Sequence, residues 1–432
     1  MANTYLTRTF GSSPSTTLFT WSAWVKRSKL GVQQAMISGA QNSNTGQLIY
    51  FTSDDKFAYY AQAGGTVKCN LICNARLRDT NAWYHLVLVV DSSQASASDR
   101  VKFYVNNVEQ SYTTTVAHVQ NWDAYFMLTV PTNVGRNGMN TSDYFDGVMS
   151  HMHMTHGYNY TPSTFGSVDA TTGEWKINTS PTVNYNSNGF FILKDGNTGT
   201  DHSGNSETFS SGGGTLTKTE DCPSNVFCTM AGHTVGSYAT LSAGNTKAVG
   251  NSASDSACCI GNLGMTNGKY YYEMKVSEDT TNVNYPQFWA VPTTNSKFGH
   301  QGLNGGSGNP QANYVGMNMN NGYYNFSAFV SGTTGTSSNG DIIMFAFDMD
   351  NGAWYAGRNG TWFSSANPAS GASKTGALFT WTADGRTLVP GCESFNNSSV
   401  EWNFGNGYFG TTAVYSAGTN ASGNGIFEYD VP

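Results

Sequence analysis

The sequence predicts an all-β protein built from two antiparallel β-sandwich domains in tandem. Segments that alternate apolar and polar residues recur at short intervals, which is typical of strands in a sandwich. Asn, Gly, Ser and Thr lie between these segments and favour turns. Long helical patterns are missing. With 432 residues the chain exceeds one ordinary core, so we expect two domains.

The first domain is predicted over residues 1–160. LFTWSAWVKR, residues 18–27, places Phe19, Trp21, Ala23 and Val25 on one face of a strand. AWYHLVLVVDSS, residues 82–93, is nearly continuously apolar, which predicts burial of both faces. DRVKFYVNNVEQ alternates and then turns at Asn106-Asn107, and FDGVMSHMHMTHG, residues 145–157, is a further strand.

Residues 161–224 are predicted to form an extension and linker with one or two strands, among them NGFFILKDGN. The strand pattern lapses near Asp221-Cys222-Pro223, where we place the domain boundary. The second domain follows over residues 225–410. The tail, residues 411–432, ends in GIFEYDVP, which we expect to dock as a last strand.

The stretch GDIIMFAFDMDNGAWYAGRNGTWF, residues 340–363, contains two turn signals. We predict a two-residue type I′ turn at Asn351-Gly352 and a second tight turn at Asn359-Gly360. The aromatic residues around these turns are expected to fill the space between two sheets: Phe345, Phe347, Trp354 and Trp362.

Composition excludes several classes of protein. A net charge of −7 without a basic run argues against nucleic-acid binding. No stretch approaches 18 uninterrupted apolar residues, so membrane insertion is not expected. A secretory signal is not expected at the start, and the seven cysteines lack the regular spacing of a disulfide framework or a zinc finger. We therefore expect reduced, partly buried thiols.

Four segments of the second half, in the order of the family's motifs, resemble a SPRY domain: NGKYYYEMKV, YVGMNMNNGYYNF, residues 340–363 and LVPGCESF. The first half is similar to laminin-G-like and concanavalin-like jelly rolls through FTWSAWVKR, WYHLVLVVDSS, VKFYVNNVE and FDGVMSHMHMTHG. VKFYVNNVE has Asn107 where that family usually has Gly. These resemblances imply a jelly-roll form for both sandwiches.

The order of the two domains, with the D-x-S-G-N-x-x-x-F segment Asp201–Phe209 between them, resembles virion structural proteins of tailed bacteriophages. The resemblance implies a tail fibre or adhesin, located in the virion and assembled in the cytoplasm of an infected bacterium. Its partners would be other virion proteins and a host-surface glycan or protein. The main alternative is a capsid or tail decoration protein, and a polysaccharide depolymerase is a third. Virion appendages follow the particle's symmetry, so we expect a homo-oligomer, with a trimer first.

Candidate ligand-binding residues are aromatic and amide side chains in loops of the second domain. A Tyr or Trp ring stacks on the apolar face of a sugar, and amides bond its hydroxyls. This chemistry selects Asn304, Asn309, Tyr323, Tyr324 and Asn325.

The histidines His151 and His153 form an H-x-H pair on one predicted strand face. Three chains around an axis would supply six nitrogens to a transition metal, and the alternative is a solvent-facing or interface pair. Calcium at a domain rim stays open, and no other cofactor is expected.

Catalytic motifs are missing from the sequence. No G-x-S-x-G elbow and no complete P-loop occur. Asp348 and Asp350 share one face, but a hairpin corner explains them as well as a carboxylate pair does. We therefore predict a protein that is not an enzyme.

Overall fold

The computed structural model describes most of the chain, namely residues 3–194, 198–219, 221–231, 239–251, 257–278, 287–292, 304–305, 309–310, 315–318, 320–325, 329–394, 397–416, 418–419, 423 and 425–432. The chain divides into two compact units, Met1–Val226 and Phe227–Pro432. The predicted domain boundary lies a few residues before this division. Among the described residues no helix has the length and apolar character needed to cross a bilayer.

In its described residues the first unit contains sixteen strands and two short 3-10 turns, Ala97–Asp99 and Pro162–Thr164. The strands are β1 Tyr5–Thr9, β2 Leu18–Arg27, β3 Gln34–Asn42, β4 Thr45–Phe51, β5 Lys56–Ala63, β6 Thr66–Arg76, β7 Tyr84–Asp91, β8 Val101–Val105, β9 Val108–Gln110, β10 Tyr112–Val116, β11 Pro131–Val134, β12 Gly147–Met154, β13 Gly166–Val168, β14 Trp175–Ile177, β15 Phe190–Ile192 and β16 Ser210–Gly213.

Two antiparallel sheets enclose the core of the first unit. The larger sheet has the order β10-β6-β5-β4-β3-β11-β1-β16, and the smaller has β15-β12-β2-β7-β8-β9. The predicted inward residues of β2 are fully buried in this core, where Phe19 and Trp21 contact Tyr59 and Phe57 of the larger sheet. The sandwich predicted from alternation in this half of the chain is confirmed.

The turn predicted at Asn106-Asn107 joins β8 to β9. Val105 pairs directly with Val108, so the loop has two residues. Asn106 and Asn107 have φ values of 46° and 70°, the pair of positive angles that a type I′ turn requires. Asn tolerates this conformation better than most non-glycine residues, which explains why it replaces Gly here.

The extension after residue 160 covers the second face of the smaller sheet. It forms four short strands, β13 to β16, where one or two were predicted. The D-x-S-G-N segment is held by one carboxylate, since Asp201 accepts hydrogen bonds from Phe191 N, Ser203 N, Ser203 Oγ and Glu207 N at 2.7–2.9 Å. These bonds hold the chain after Asp201 next to β15.

Two buried ion pairs lie at one end of β2. Arg27 donates to Asp55 at 3.0 Å and lies 4.2 Å over the ring of Phe51. The Asp55 carboxylate also accepts from Arg78 and Gly31, and despite desolvation these contacts lower its pKa. Lys26 pairs with Asp221 at 3.1 Å. Removing one partner of either pair would leave a buried charge without a counter-ion. Both pairs therefore hold this end of the first unit in place.

The second unit contains twenty strands with 3-10 turns at Phe363–Ser365 and Pro368–Ser373 among its described residues. The strands are β17 Ala239–Ser242, β18 Lys247–Gly250, β19 Ala257–Ile260, β20 Lys269–Glu278, β21 Gln287–Pro292, β22 Asn304–Gly305, β23 Asn309–Pro310, β24 Val315–Asn318, β25 Asn320–Asn325, β26 Phe329–Thr336, β27 Ile342–Asp348, β28 Ala353–Arg358, β29 Thr361–Trp362, β30 Phe379–Thr380, β31 Leu388–Ser394, β32 Ser399–Asn403, β33 Tyr408–Phe409, β34 Thr412–Ala413, β35 Gly418–Thr419 and β36 Ile426–Phe427.

The second unit is also an antiparallel sandwich. One sheet has the order β17-β18-β32-β20-β27-β28-β29, with β30 joined to β28, and the other has β19-β31-β21-β24-β25-β26. Phe345, Phe347 and Trp354 lie in its core as predicted. Trp362 does not. It is partly buried against Tyr271 and Tyr355 on the other face of the first sheet.

The two turns of residues 340–363 differ from each other. Asn359 and Gly360 have φ values of 48° and 81° and connect the directly paired Arg358 and Thr361, which is a two-residue type I′ turn. The prediction of the same turn at Asn351-Gly352 is wrong. Asp348 pairs with Ala353, so four residues form that loop, and only Gly352 among them has a positive φ.

Residues 426–432, at the end of the tail, dock on the second unit, as predicted. Strand β36 pairs with β35, and the buried carboxylate of Glu273 accepts from Glu428 N and Tyr429 N, both at 2.8 Å. Tyr271 Oη and Asn403 Nδ2 donate to the same carboxylate. Burial raises the pKa of Glu273, against these four hydrogen bonds that lower it.

Gly352 should tolerate no side chain. Its φ is +67°, and an added Cβ would collide with the backbone carbonyl of Trp381. Gly352→Ala should therefore lower the free energy of unfolding by more than about 2 kcal/mol, since the positive φ alone costs about 1–2 kcal/mol. Gly268 is the matched control, because it has φ +84° and open space around it. Chemical denaturation of the full chain measures both, and equal losses for the two variants would contradict the collision.

Candidate functional site

The larger sheet of the first unit has apolar side chains on both faces. Ile49, Phe57 and Tyr59 point into the core. The residues between them belong to a separate cluster on the opposite face, made of Ala35, Leu48, Tyr50 and Ala58 with Tyr60, Ile72 and Met139 packed against it. We call this side, turned away from the core, the outer face. It is the sheet surface of the first unit that carries partly buried aromatic and amide side chains side by side.

Tyr60 lies on the outer face between two amides. Its hydroxyl donates to Gln62 Oε1 at 2.8 Å, and Gln62 in turn donates to Ser43 O at 2.8 Å. Asn70 is opposite Tyr60 in the register of β5 and β6. The Asn70 Oδ1 has no hydrogen-bond partner among the residues that the structure describes. A held ring therefore stands beside a buried amide oxygen that lacks a partner. We call Tyr60, Gln62, Asn70, Ile72 and Met139 the Tyr60 patch.

Residues 136–144 form a loop across the centre of the outer face, which we call the cover loop. Ser38 Oγ donates to Arg136 O at 2.8 Å and accepts from Gly138 N at 2.8 Å. Gly46 lets the loop approach, because a Cβ there would lie 2.9 Å from Met139 Cγ. The loop borders the Tyr60 patch through Met139, whose sulfur lies 3.6 Å from Gln62 Nε2.

A second group of side chains lies at the other end of the cover loop. The Arg136 guanidinium stands 3.7 Å from the centre of the Tyr5 ring and donates to Asn133 Oδ1 at 3.1 Å. Tyr144 packs beside Tyr5 with 6.2 Å between ring centres. We call Tyr5, Asn133, Arg136 and Tyr144 the Arg136 patch.

A Ser–His contact is buried under the extension of the first unit. Ser22 Oγ lies 2.9 Å from His85 Nε2, and Trp175 Nε1 lies 3.0 Å from His85 Nδ1. An indole N–H can only donate, so Nδ1 accepts and the proton is on Nε2. His85 therefore donates to Ser22 and cannot remove its proton. Since both residues are fully buried, this pair serves packing and not nucleophilic catalysis.

His151 and His153 lie in the same buried layer. Both rings contact Phe191, and their Nδ1 atoms lie 2.8 Å from Ser150 Oγ and 2.7 Å from Tyr185 Oη. They are 1% and 2% exposed, so the solvent-facing alternative is wrong, because the extension covers this face. A metal site shared by three chains would need them at the surface. No group of three or more His, Cys, Asp or Glu suited to a metal occurs among the described residues.

The predicted ligand-binding residues of the second unit lie on strands. Asn304 and Asn309 belong to the β22–β23 hairpin, and their side chains are outside the described part of the chain, as is that of Tyr324. Tyr323 and Asn325 are partly buried on β25, and the Tyr323 ring packs edge-on against Trp354 at 5.9 Å. No described contact joins the two groups. A ligand site at these residues stays a prediction.

The paired carboxylates Asp348 and Asp350 stabilise the four-residue turn. Asp348 accepts from Asn351 N and Nδ2, at 3.0 and 2.8 Å, and Asp350 accepts from Gly268 N at 2.7 Å. These bonds explain the two acids as parts of a hairpin corner.

Comparison with known proteins gives one family match. A laminin G model of the Concanavalin A-like lectin/glucanases superfamily matches residues 2–157. This region contains both patches and shows that the first unit has a concanavalin-like jelly-roll fold. No curated protein matches the chain.

Many solved structures resemble parts of the chain, and three of them serve as examples. The SPRY domain of human HERC1 is 15% identical over 40% of this chain and 96% of its own, with a TM-score of 0.31. The heptameric SAP-like pentraxin from Limulus polyphemus is 14% identical over 44% and 87%, with 0.30. The CBM40 of a Ruminococcus gnavus sialidase, bound to α2,3 sialyllactose, is 15% identical over 30% and 70%, with 0.24. TM-scores this low carry no argument about function.

The sequence analysis did not predict the Tyr60 patch, although the sequence contains a pattern that indicates part of it. In KFAYYAQAG the alternation that buries Phe57 and Tyr59 also places Tyr60 and Gln62 on the opposite face. Asn70 enters the patch only through the pairing of β5 with β6, which includes two register shifts that alternation does not reveal.

The buried imidazole of His85 predicts a pH-dependent stability. Burial lowers the pKa of His85 to about 3, against about 6.5 for an unfolded chain. Between these values only the unfolded state binds the proton. The contribution of neutral His85 to the free energy of unfolding is complete above pH 6.5. It is lost as pH falls toward 3, by about 1.4 kcal/mol per pH unit.

His85→Gln removes this titration. Unfolding free energies of the native chain and the variant, measured from pH 7 to pH 4, should converge as pH falls. Parallel curves would contradict the assignment of the pH dependence to His85.

Proposed function

We propose that this protein binds glycans without catalysing their cleavage, and that the outer face of the first unit is the binding surface. The observation that carries the proposal is the partly exposed Tyr60 ring, held by Gln62 and placed opposite Asn70 on a sheet face. The match of this region to a lectin and glucanase superfamily supports the same ligand class.

The chemistry of the Tyr60 patch suits a sugar. An aromatic face accepts the apolar C–H face of a pyranose, while neighbouring amides exchange hydrogen bonds with its hydroxyls. The Tyr60 hydroxyl bond to Gln62 orients the ring before any ligand arrives, so little entropy is lost on binding. One such site is weak, and repeated sites on an oligomer would raise the avidity.

The polar residues that resemble catalytic groups support binding without reaction. His85 donates to Ser22 instead of accepting its proton, and Asp348 and Asp350 are committed to turn amides. Their hydrogen bonds are explained by packing and turn formation alone.

Removing the ring should abolish most binding. Tyr60→Ala should weaken glycan binding about tenfold, because loss of one stacked ring costs about 1.4 kcal/mol. Tyr60→Phe keeps the ring and should retain most affinity. A glycan array, followed by calorimetry on the strongest binder, measures both.

Asn325→Ala is the control for the site predicted in the second unit. If Tyr60→Ala binds as well as the native chain and Asn325→Ala loses glycan binding, the binding site lies in the second unit. No binding by the native chain to any glycan would contradict the proposal as a whole.

The finer form of the proposal places the protein on a bacteriophage particle as a tail fibre or adhesin for a host-surface glycan. It rests on the order of the two domains and on the Asp201–Phe209 segment, whose resemblance lies in the sequence. The alternative is a decoration protein that stabilises the shell or tail.

Immunogold labelling of purified particles tests the location. We expect label on tail appendages and loss of adsorption to host cells when the gene is deleted, with intact particles. Label on the shell and particles that break more readily would favour the decoration alternative. Particles without label would contradict the virion location.

A further inference from the structure

Arg136 differs from the other arginines of the first unit in what its guanidinium contacts. Four of the six have a carboxylate partner: Arg8 with Glu207, Arg27 and Arg78 with Asp55, and Arg76 with Asp54. The fifth, Arg100, donates to three backbone carbonyls. Arg136 donates only to Asn133 Oδ1, at 3.1 Å. Among the described residues it has no carboxylate within 4 Å.

The donors of Arg136 are therefore mostly unused. A guanidinium offers five N–H groups in a planar fork. The Nε atom of Arg136 is buried and has no acceptor among the residues described. The Tyr5 ring, 3.7 Å from the guanidinium, holds the plane in place. A fixed guanidinium plane, whose terminal nitrogens have one acceptor among the described residues, fits a bidentate oxyanion such as a carboxylate or a sulfate.

The acid nearest along the chain does not supply that anion. Asp143 lies opposite Arg136 across the cover loop, where Asn137 bridges to Ser142. Its carboxylate instead accepts from three amides, Gln33 Nε2, Asn137 Nδ2 and Asn140 Nδ2, at 2.9–3.2 Å. The cover loop thus satisfies its own acid with neutral donors and leaves the guanidinium without a counter-ion.

The position of Arg136 connects it to the Tyr60 patch. Asn133 is on β11 and Tyr60 is on β5, three strands apart in the sheet order. At about 4.8 Å per strand the two patches are about 14 Å apart. This span requires an oligosaccharide, with one sugar at each patch and the cover loop beneath the link.

We propose that the Arg136 patch is a subsite for an anionic substituent, so that this protein prefers oligosaccharides bearing a carboxylate or a sulfate ester. The inference rests on the proposed glycan binding at the Tyr60 patch. The anion accepts from the terminal nitrogens of Arg136, beside the ring of Tyr5. The neutral part of the same chain lies on Tyr60.

The test uses an array of matched oligosaccharides, each printed in a neutral, a carboxylated and a sulfated form. The native chain should bind an acidic form at least about tenfold more tightly than its neutral form, since a charge-assisted bidentate contact contributes about 1.5–3 kcal/mol. Arg136→Gln should remove this preference, so that the acidic and neutral forms of one oligosaccharide bind about equally. The arm that responds, carboxylate or sulfate, identifies the substituent.

Two further variants separate the site from general charge and from misfolding. Arg136→Lys keeps the charge but not the fork, and should lose part of the preference. Lys102→Gln removes the same charge from β8 of the smaller sheet, where Lys102 pairs with Glu109 at 3.7 Å, and should change nothing. Thermal unfolding midpoints show that each variant is folded.

An unchanged ratio of acidic to neutral binding in Arg136→Gln would overturn the subsite while leaving glycan binding in place. Equal loss in Lys102→Gln would also overturn it, because long-range charge would then explain the preference. Absence of all glycan binding in the native chain would remove both the subsite and the proposed function.

Discussion

Burial of both faces of the smaller sheet is the constraint on which the first unit depends. β2 packs Phe19 and Trp21 into the core, and its opposite face, with Ser22 and Trp24, is equally buried because the extension covers it. Every polar group in that layer must then find a partner inside the protein. The histidines His85, His151 and His153 do so with hydroxyls and an indole. The Trp24 indole N–H is an exception, with no partner among the described residues. The larger sheet is only partly covered on its outer face, where the cover loop packs.

The extent of the core was predictable because it depends on local alternation. The inward residues of β2 and the turns at Asn106-Asn107 and Asn359-Gly360 follow from short sequence patterns, although their type I′ form was not predicted. Features set by distant segments were not predictable. Whether a strand's second face meets water depends on what packs against it, so His151 and His153 were misjudged as surface residues. The Asn351-Gly352 loop also differs, since hydrogen bonds to Asp348 favour four residues.

The low charge content fits the way in which carboxylates are used. Asp201 and Glu273 each accept four hydrogen bonds and hold a returning segment in place, one in each unit. In the Tyr60 patch, the hydrogen bonds come from a hydroxyl and amides. Only 11% of residues are charged. The Arg136 guanidinium, which donates to one amide oxygen, differs from the arginines of the first unit that pair with carboxylates. The proposed anion subsite accounts for this difference.

Hydrogen exchange with and without a bound oligosaccharide tests the central claim most directly, because it reports the contact surface along the whole chain. The account predicts new protection in β5, β6 and the cover loop, residues 56–76 and 136–144, with the smaller sheet of the first unit and both sheets of the second unit unchanged. Protection confined to the second unit, around residues 304–325, with none on the outer face of the first, would contradict it.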